Sequence, residues 1–399
     1  MKNIRLAVVL PTRNRGELAV ESVKSVLTSH DGEEIGIIIS DNSTDAKDSS
    51  VLEKFVSKAG SRVKLIHPKT PLGMTANWNY AMDYAMSVEC FTHFTILTDR
   101  MLFKSDSIKR ILGIISSYED DVLSYTYDRI YDADTTRPII YTKLPRSEDL
   151  IRIESARLLA MSAHMSFPSC MPRMLNSVSP RQHLHKLKAR YARVFSSISP
   201  DFNFCFLTLD ICNSFIYYDR ALLINYSQGR SNGASVSRGV MSRDSKDFLE
   251  HLDGRIINEY SPIPEIITVG NSIVHEYCNV QRQSHGKCYP EISIDSYRDR
   301  LAAEVYQYDD PHTRNRTLGI LYSHSWKPSL QYRISRLKRH LVKIVLHLFS
   351  RKFSTVAEAI TYACSDNASN VKWIPHPARS YGLKIPLSPQ CRDNTNSNM

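Results

Sequence analysis

The stretch VVLPTRNR, Val8 to Arg15, sets a run of β-forming apolar residues directly against a proline and a series of polar and cationic ones. Val8, Val9 and Leu10 favour a buried pleat, whereas Thr12, Arg13, Asn14 and Arg15 carry hydrogen-bond donors or charge. The strand therefore delivers donors to the edge of a sheet, which in open α/β sheets is where ligands bind. Outward from it, strand-like runs recur at residues 6–10, 35–40, 63–67, 91–98 and 121–127, separated by segments of helical period. One such segment, SDSIKRILGII, places Ile108, Ile111, Leu112 and Ile115 on one helical face, with Ser105 as the expected N-cap. This alternation predicts an α/β fold built on a mostly parallel sheet flanked by helices.

Composition limits the partners. The chain has 399 residues, 42% hydrophobic and 23% charged, which is ordinary for a globular protein with ample core. Its 51 Lys and Arg against 41 Asp and Glu give +10, a sign that suits nucleotide phosphates, nucleic acid or anionic lipid headgroups. Eight cysteines are scattered without a CxxC pair, so reduced thiols are expected. The N-terminal apolar stretch covers only Leu6 to Leu10 and lacks a small-residue cleavage site. No segment approaches the roughly 18 apolar residues of a spanning helix. The expected location is the cytoplasm, or the inner face of the cell membrane as a peripheral protein.

Beyond residue 130 the rhythm changes. Residues 131–198 gain prolines and basic residues and read as loops with one basic helix, while the apolar stretch from Pro200 returns to the core. The Gly- and Ser-rich run from Ser227 to Gly239 reads as a mobile surface loop. Lys327 to Lys352 carries eight Lys or Arg and no Asp or Glu, with Ile334, Leu337, Leu341, Ile344, Val345 and Leu348 at helical spacing. That pattern suits either a helix on an anionic membrane surface or a packed helix with a solvated basic face. The resulting division is 1–130, 131–290, a helical basic extension at 291–380, and a disordered tail at 381–399.

Polar groups close three of the first four strands. Thr12 ends the first, Asp41 in SDNSTD ends the second, and Asp99 in LTDRMLF ends the fourth. A carboxylate there suits recognition of a base or ribose, and equally suits a helix cap or turn. No GxGxxG, G-x-S-x-G or HExxH occurs, and the 14 histidines are not paired with cysteines at ligand spacing. Nor is there a recognisable nucleic-acid-binding module, and nucleic acid is not an expected partner.

Taken in order, VVLPTRNR, IIISDNSTD, LGMTANWNYAM and LTDRMLF resemble the nucleotide-sugar-binding motifs of family-2 glycosyltransferases with the GT-A fold, over about residues 4 to 130. SPDFNFCFLTL and GRSNGAS are similar to acceptor-side motifs of a bacterial subset. The resemblance implies inverting transfer of a hexose from a nucleotide-sugar, expected to be UDP-linked, to a saccharide or lipid-linked saccharide. The pathway it implies is bacterial surface polysaccharide, of capsule or lipopolysaccharide type. It further implies that Pro11, Thr12, Arg13, Asn14 and Arg15 line the nucleotide pocket with Asp41, Asn42 and Ser43, and that Asn77 bonds the donor.

By the same resemblance Asp99 takes the first acidic position of an Asp-x-Asp motif that holds Mg²⁺ or Mn²⁺. Met101 stands at the second position, where a soft thioether replaces a hard oxygen ligand. Arg100 is then a candidate for part of the missing positive charge. Asp201 matches the acceptor-side acid and is the expected general base, with a helix cap as its plain alternative. Asp210, Asp219 and Glu250 are weaker substitutes, and His275 is either a packed residue or an approach to the metal. Two other functions fit the chain: a nucleotidyltransferase, which PTRNRGE disfavours by its lack of glycine, and an inert nucleotide-sugar-binding scaffold, which Met101 favours.

Overall fold

Strand β1 (Leu6–Thr12) is buried along its whole length. Its pleat sends Leu6, Val8 and Leu10 into one hydrophobic core and Ala7 and Val9 into another, which is why the run is apolar throughout and does not alternate with polar residues. The structure is a computed structural model that describes residues 4–132, 138–143, 146–227, 229, 232–239, 250, 257–327, 332–334, 337, 341, 350–365 and 382–385.

After β1 the chain runs through α1 (Gly16–Ser29), β2 (Ile35–Asp41), α2 (Ala46–Val56), β3 (Val63–Ile66), α3 (Met74–Ser87) and β4 (His93–Ile96). Strand β1 pairs in parallel with both β2 and β4, and β2 with β3. The spatial order is therefore β3-β2-β1-β4. Two crossovers step one way and the third steps back, so the carboxyl ends of β1 and β4 flank a topological switch point. Pro11 is tolerated in this central strand because pairing with β4 ends at Val9, where Leu97 donates to the Val9 carbonyl at 2.9 Å.

The second half adds β5 (Met101–Phe103), α4 (Ser107–Ser117), β6 (Leu123–Tyr131), β7 (Ile139–Thr142), β8 (Leu150–Glu154), α5 (Ser155–Ala163), β9 (Ser177–Pro180), α6 (Arg181–Tyr191), α7 (Pro200–Ile211) and β10 (Ser214–Asn225). The short β9 pairs antiparallel with both β4 and β6 and so joins the halves into one sheet. Helices α1, α2 and α4 cover one face; α3, α5, α6 and α7 cover the other. The C-terminal region contains α8 (Asn232–Ser237), α9 (Val269–Gln283), α10 (Ile294–Val305), α11 (Pro311–Ser323), β11 (Ser350–Phe353), α12 (Val356–Ser365) and β12 (Gly382–Ile385). Helices α9, α10 and α11 share their own core around Tyr297, Leu301, Leu321 and Trp326.

Several sequence expectations change here. The cap of α4 is Asp106, not Ser105, and it makes no side-chain cap bond. Residues 131–198 contain β7, β8 and β9 as well as the expected basic helix α6, because short antiparallel strands carry too few alternations to stand out. Part of the Ser227–Gly239 loop is helix α8. Within the tail, Gly382–Ile385 forms β12 on β8, with Lys384 Nζ 2.7 Å from Asp149; the rest lies outside the described residues. Most of the basic segment 327–352 is also outside them, but Ser350–Phe353 is a strand paired with β7. At the described positions Ile334, Leu337 and Leu341 the side chains are exposed. Among the described residues every cysteine is unbridged, and no helix is long and apolar enough to cross a membrane.

Candidate functional site

Three strand ends converge at the switch point. Thr12 closes β1 and donates from Oγ1 to Asp99 Oδ2 at 2.9 Å. Arg15, at the cap position of α1, places Nη1 3.2 Å from Asp99 Oδ1. Both Asp99 oxygens are thus engaged by residues of the VVLPTRNR stretch. Asn14 sits at φ +53°, a left-handed conformation asparagine tolerates better than most residues. Its Oδ1 accepts from the Thr44 and Asp45 amides at 2.8 and 3.1 Å, while its own amide donates to Ser43 Oγ at 2.8 Å. Asn14 therefore clasps the loop after β1 to the loop after β2. Gly16 completes the clasp: its amide donates to Asp48 at 2.6 Å, and a Cβ would lie 2.4 Å from the Asp48 carbonyl oxygen.

Asp41, at the end of β2, has 0% side-chain exposure. Its Oδ1 accepts from the Ser43 amide at 2.9 Å; its Oδ2 is buried without a hydrogen-bond partner among the described residues, with His67 Nδ1 3.7 Å away. Asn42 exchanges two hydrogen bonds with the Leu72 backbone, at 2.7 and 2.8 Å, and Arg13 Nη1 donates to the Leu72 carbonyl at 3.3 Å. Asn77 on α3 is buried and accepts from Ser40 Oγ at 2.7 Å. Arg100 lies in the turn between β4 and β5, its carbonyl accepting from Tyr226 at 3.0 Å.

Asp201 belongs to a second cluster, at the start of α7. The cap of α7 is Ser199, Pro200 takes the first helical position, and Asp201 follows in the first turn, so it is not the cap. Its Oδ2 lies 3.8 Å from Arg173 Nη1. Burial pushes its carboxyl above the usual aspartate range, opposed by the Arg173 charge. Arg173 also donates to Tyr127 Oη at 3.2 Å, and Arg129 reaches the same oxygen at 3.5 Å. The Arg173 charge, aided by Arg129, brings the Tyr127 phenol down to about 7.

The loop leading into α7 is held from two directions. From α3, Thr75 donates to the Ser197 carbonyl, Asn79 exchanges bonds with the Phe195 backbone at 2.6 and 3.2 Å, and Trp78 meets the Phe195 ring edge-on. From α9, the fully buried Glu276 accepts from the Ser199 amide at 2.8 Å and from Asn203 Nδ2 at 3.2 Å. Burial raises the Glu276 carboxyl to about 8. The neighbouring His275 accepts from the Tyr260 amide through Nδ1 at 3.1 Å, which leaves Nε2 to donate to Ser197 Oγ at 3.2 Å. Burial lowers it to about 4, so it is a neutral packing residue with both nitrogens used.

The substitutes for Asp201 are committed elsewhere or apart. Asp210 accepts from Tyr191 and Ser284 and pairs with Arg190, whereas Asp219 accepts from Ser147 and Tyr217. Glu250 is exposed. The sequence reading did not single out Arg173, Tyr127 or Glu276. Arg173 lies in the irregular SCMPRMLN run; the available signal for Glu276 was a charged residue inside the apolar face of IVHEYC.

Residues 7–177 match the family described as Glycosyl transferase family 2. The chain is a glycosyltransferase with a family 2 domain. No curated protein matches it. Among solved structures, the crystal structure of S. aureus TarS 1-349 in complex with UDP-GlcNAc is similar at TM-score 0.42 and 15% identity, over 80% of this chain and 73% of that one. S. aureus TarS 1-349 in complex with UDP is similar at TM-score 0.43 and 14% identity, over 82% and 93%.

A divalent cation of the kind the family resemblance implies would need oxygen ligands at Asp99 and position 101. In this glycosyltransferase both oxygens of Asp99 already face Thr12 and the Arg15 guanidinium. Met101 is 1% exposed and packs in the same core as Leu97 and Phe103. Among the described residues no group of three or more His, Cys, Asp or Glu is placed to hold a metal ion. The donor set does not fit a hard divalent cation.

Proposed function

We infer that the enzyme transfers a hexose from a UDP-sugar to a hydroxyl of a saccharide or lipid-linked saccharide, with inversion, in bacterial surface-polysaccharide synthesis. The observation that carries the donor reading is Asp41 Oδ2, a buried carboxylate oxygen with no hydrogen-bond partner among the described residues, at the carboxyl end of a parallel strand beside the switch point. Such an oxygen is costly until a donor reaches it. The imino N–H of uracil is a donor of the right kind, flanked by carbonyls, whereas cytosine presents an acceptor at the same ring position.

In this reading residues 1–130 bind the donor. Thr12, Asp99 and Arg15 meet the ribose and diphosphate; Pro11, Arg13, Asn14, Asn42 and Ser43 shape the base pocket; Asn77 acts through Ser40; Arg100 borders the diphosphate. Residues 131–290 receive the acceptor, and Asp201, whose carboxyl burial holds above the usual aspartate range, is the general base. The exposed apolar positions 334, 337 and 341 in the basic extension support docking on an anionic membrane surface.

Calorimetry with UDP and CDP tests the donor assignment. UDP is expected to bind about tenfold or more tightly than CDP, since the wrong base both loses a charge-assisted bond and sets an acceptor against Asp41. Equal affinities overturn it.

A further inference from the structure

We propose that Arg173 is the positioning residue of the general base, holding the Asp201 carboxylate in place as an anion while leaving its oxygens open to the acceptor hydroxyl. The proposal rests on the reading of Asp201 as base given above. Among the described residues Arg173 is the one cation paired with Asp201, and at 3.8 Å the contact is an ion pair longer than a hydrogen bond. Among them, too, no side chain donates a hydrogen bond to this carboxylate, whereas Asp210 and Asp219 each accept from two hydroxyl groups. A base must keep a lone pair for the proton it takes, so a neighbour that supplies charge without filling the oxygens suits the role. Asp201 also keeps 22% of its side-chain surface exposed, which leaves the carboxylate within reach of a substrate.

The guanidinium is itself fixed from several sides. Its Nε donates to Asn176 Oδ1 at 3.2 Å and its Nη2 to Tyr127 Oη at 3.2 Å. Asn176 is fully buried and donates to the Tyr125 carbonyl of β6 at 2.7 Å, so Arg173 is tied through it to the sheet. The guanidinium carbon lies 5.5 Å from the centre of the Tyr127 ring and 5.1 Å from that of Phe202. Phe202 follows Asp201 in α7, so the ring contact and the ion pair hold the same turn. The titratable and charged groups around the pair are Tyr127 and Arg129 of β6, Cys205 of α7 and Glu276 of α9. Burial favours the neutral Asp201 carboxyl and the Arg173 charge opposes it, so without Arg173 the carboxyl would hold its proton to higher pH. During transfer the acceptor oxygen bonds to the anomeric carbon as its proton passes to Asp201, and the electron pair of the broken bond leaves on the diphosphate. A carboxyl already protonated cannot take part in that step.

UDP release from a panel of UDP-hexoses with water as acceptor, followed with the full chain from about pH 5 to 9, tests the proposal. In Arg173→Gln the acidic limb of kcat is expected about one pH unit or more above that of the wild type, with turnover on the limb lowered about tenfold or more and recovering as pH rises. A residue that only supports the fold would lower turnover at every pH and leave the limb where it was. Arg173→Lys keeps the charge and should return the limb most of the way, and UDP affinity should stay within about twofold of wild type in both variants. Arg173→Met, which fills the space between the Tyr127 and Phe202 rings, takes the place of the glutamine variant if that one does not fold; if neither folds, Arg173 is structural and the proposal falls. A limb that stays in place in Arg173→Gln, rises as far in Arg173→Lys, or disappears in Tyr127→Phe or Glu276→Gln overturns the proposal, and Asp201→Asn then decides separately whether the base reading stands. If Asp201→Asn keeps more than about a tenth of wild-type turnover, or if the wild type releases UDP from none of the panel, the underlying reading falls and takes this proposal with it.

Discussion

The proposed donor half and the proposed acceptor half share one sheet but are assembled differently. Around β1 and β2 each candidate group sits at a strand end and is held by neighbouring loops: Thr12 and Arg15 on Asp99, Asn14 on Thr44, Asn42 on Leu72. Around α7 the groups arrive from distant parts of the chain, with Arg173 and Glu276 meeting at either side of residues 199–203. The titratable groups differ too. The acceptor side holds a raised Asp201, a Glu276 at about 8 and a Tyr127 at about 7, produced by burial in the first two and by guanidinium charge in the third. In the proposed reading, donor binding falls at the strand ends and proton transfer where burial shifts carboxyl groups.

The sharpest way to break this contrast is Asp201→Asn. Asparagine cannot take the proton, and Asp201 is not the helix cap, so transfer should fall roughly 10²- to 10⁴-fold with little change in melting temperature. Retention of more than about a tenth of the wild-type turnover would place the base elsewhere.

Glu276→Gln sharpens the contrast through pH. In the fold Glu276 keeps its proton up to about 8, whereas the unfolded chain releases it near its ordinary value of 4.5. Between those values the native state binds more protons, so this group makes stability fall as pH rises. The glutamine variant should lose that falling contribution in denaturant titrations between about pH 5 and 8. An unchanged slope would show that Glu276 ionises normally. His275 contributes the opposite sign: it stays neutral down to about 4, so stability falls as pH drops below its ordinary value of 6.5.

The smallest expected effect is on the donor side. Asn14→Ala loses the side-chain hydrogen bonds to Thr44 and Asp45 and must adopt φ +53°, for a cost of about 2 kcal/mol, whereas Asn14→Gly should recover the backbone part of it. Chemical denaturation distinguishes the two variants. If alanine and glycine are equally destabilising, backbone strain is not part of the clasp.

The same division explains what the sequence disclosed. Central parallel strands buried on both faces are nearly continuous apolar runs, so β1 and β2 were legible, and so were the polar residues that close them. Strands β5, β7 and β9 have 3 to 4 residues and take their identity from pairing partners far away in sequence, which no local pattern records. Asp99 and Asp201 were legible as positions, but their partners were not. That Arg15 would turn toward Asp99, or that Arg173 would leave an irregular run to meet Asp201, depends on how the switch point and β9 bring those segments together.

The most direct measurement is the UDP dissociation constant of three proteins compared under one condition: wild type, Asp41→Asn and Asp201→Asn. In Asp41→Asn one amide group must face both the Ser43 N–H and the base N–H, and can offer an oxygen to only one of them. UDP binding should therefore weaken about tenfold or more, while Asp201→Asn should stay within about twofold of wild type. A loss of UDP affinity in Asp201→Asn as large as that in Asp41→Asn, or no loss in Asp41→Asn, would contradict the separation of a donor-binding half from a proton-transferring one.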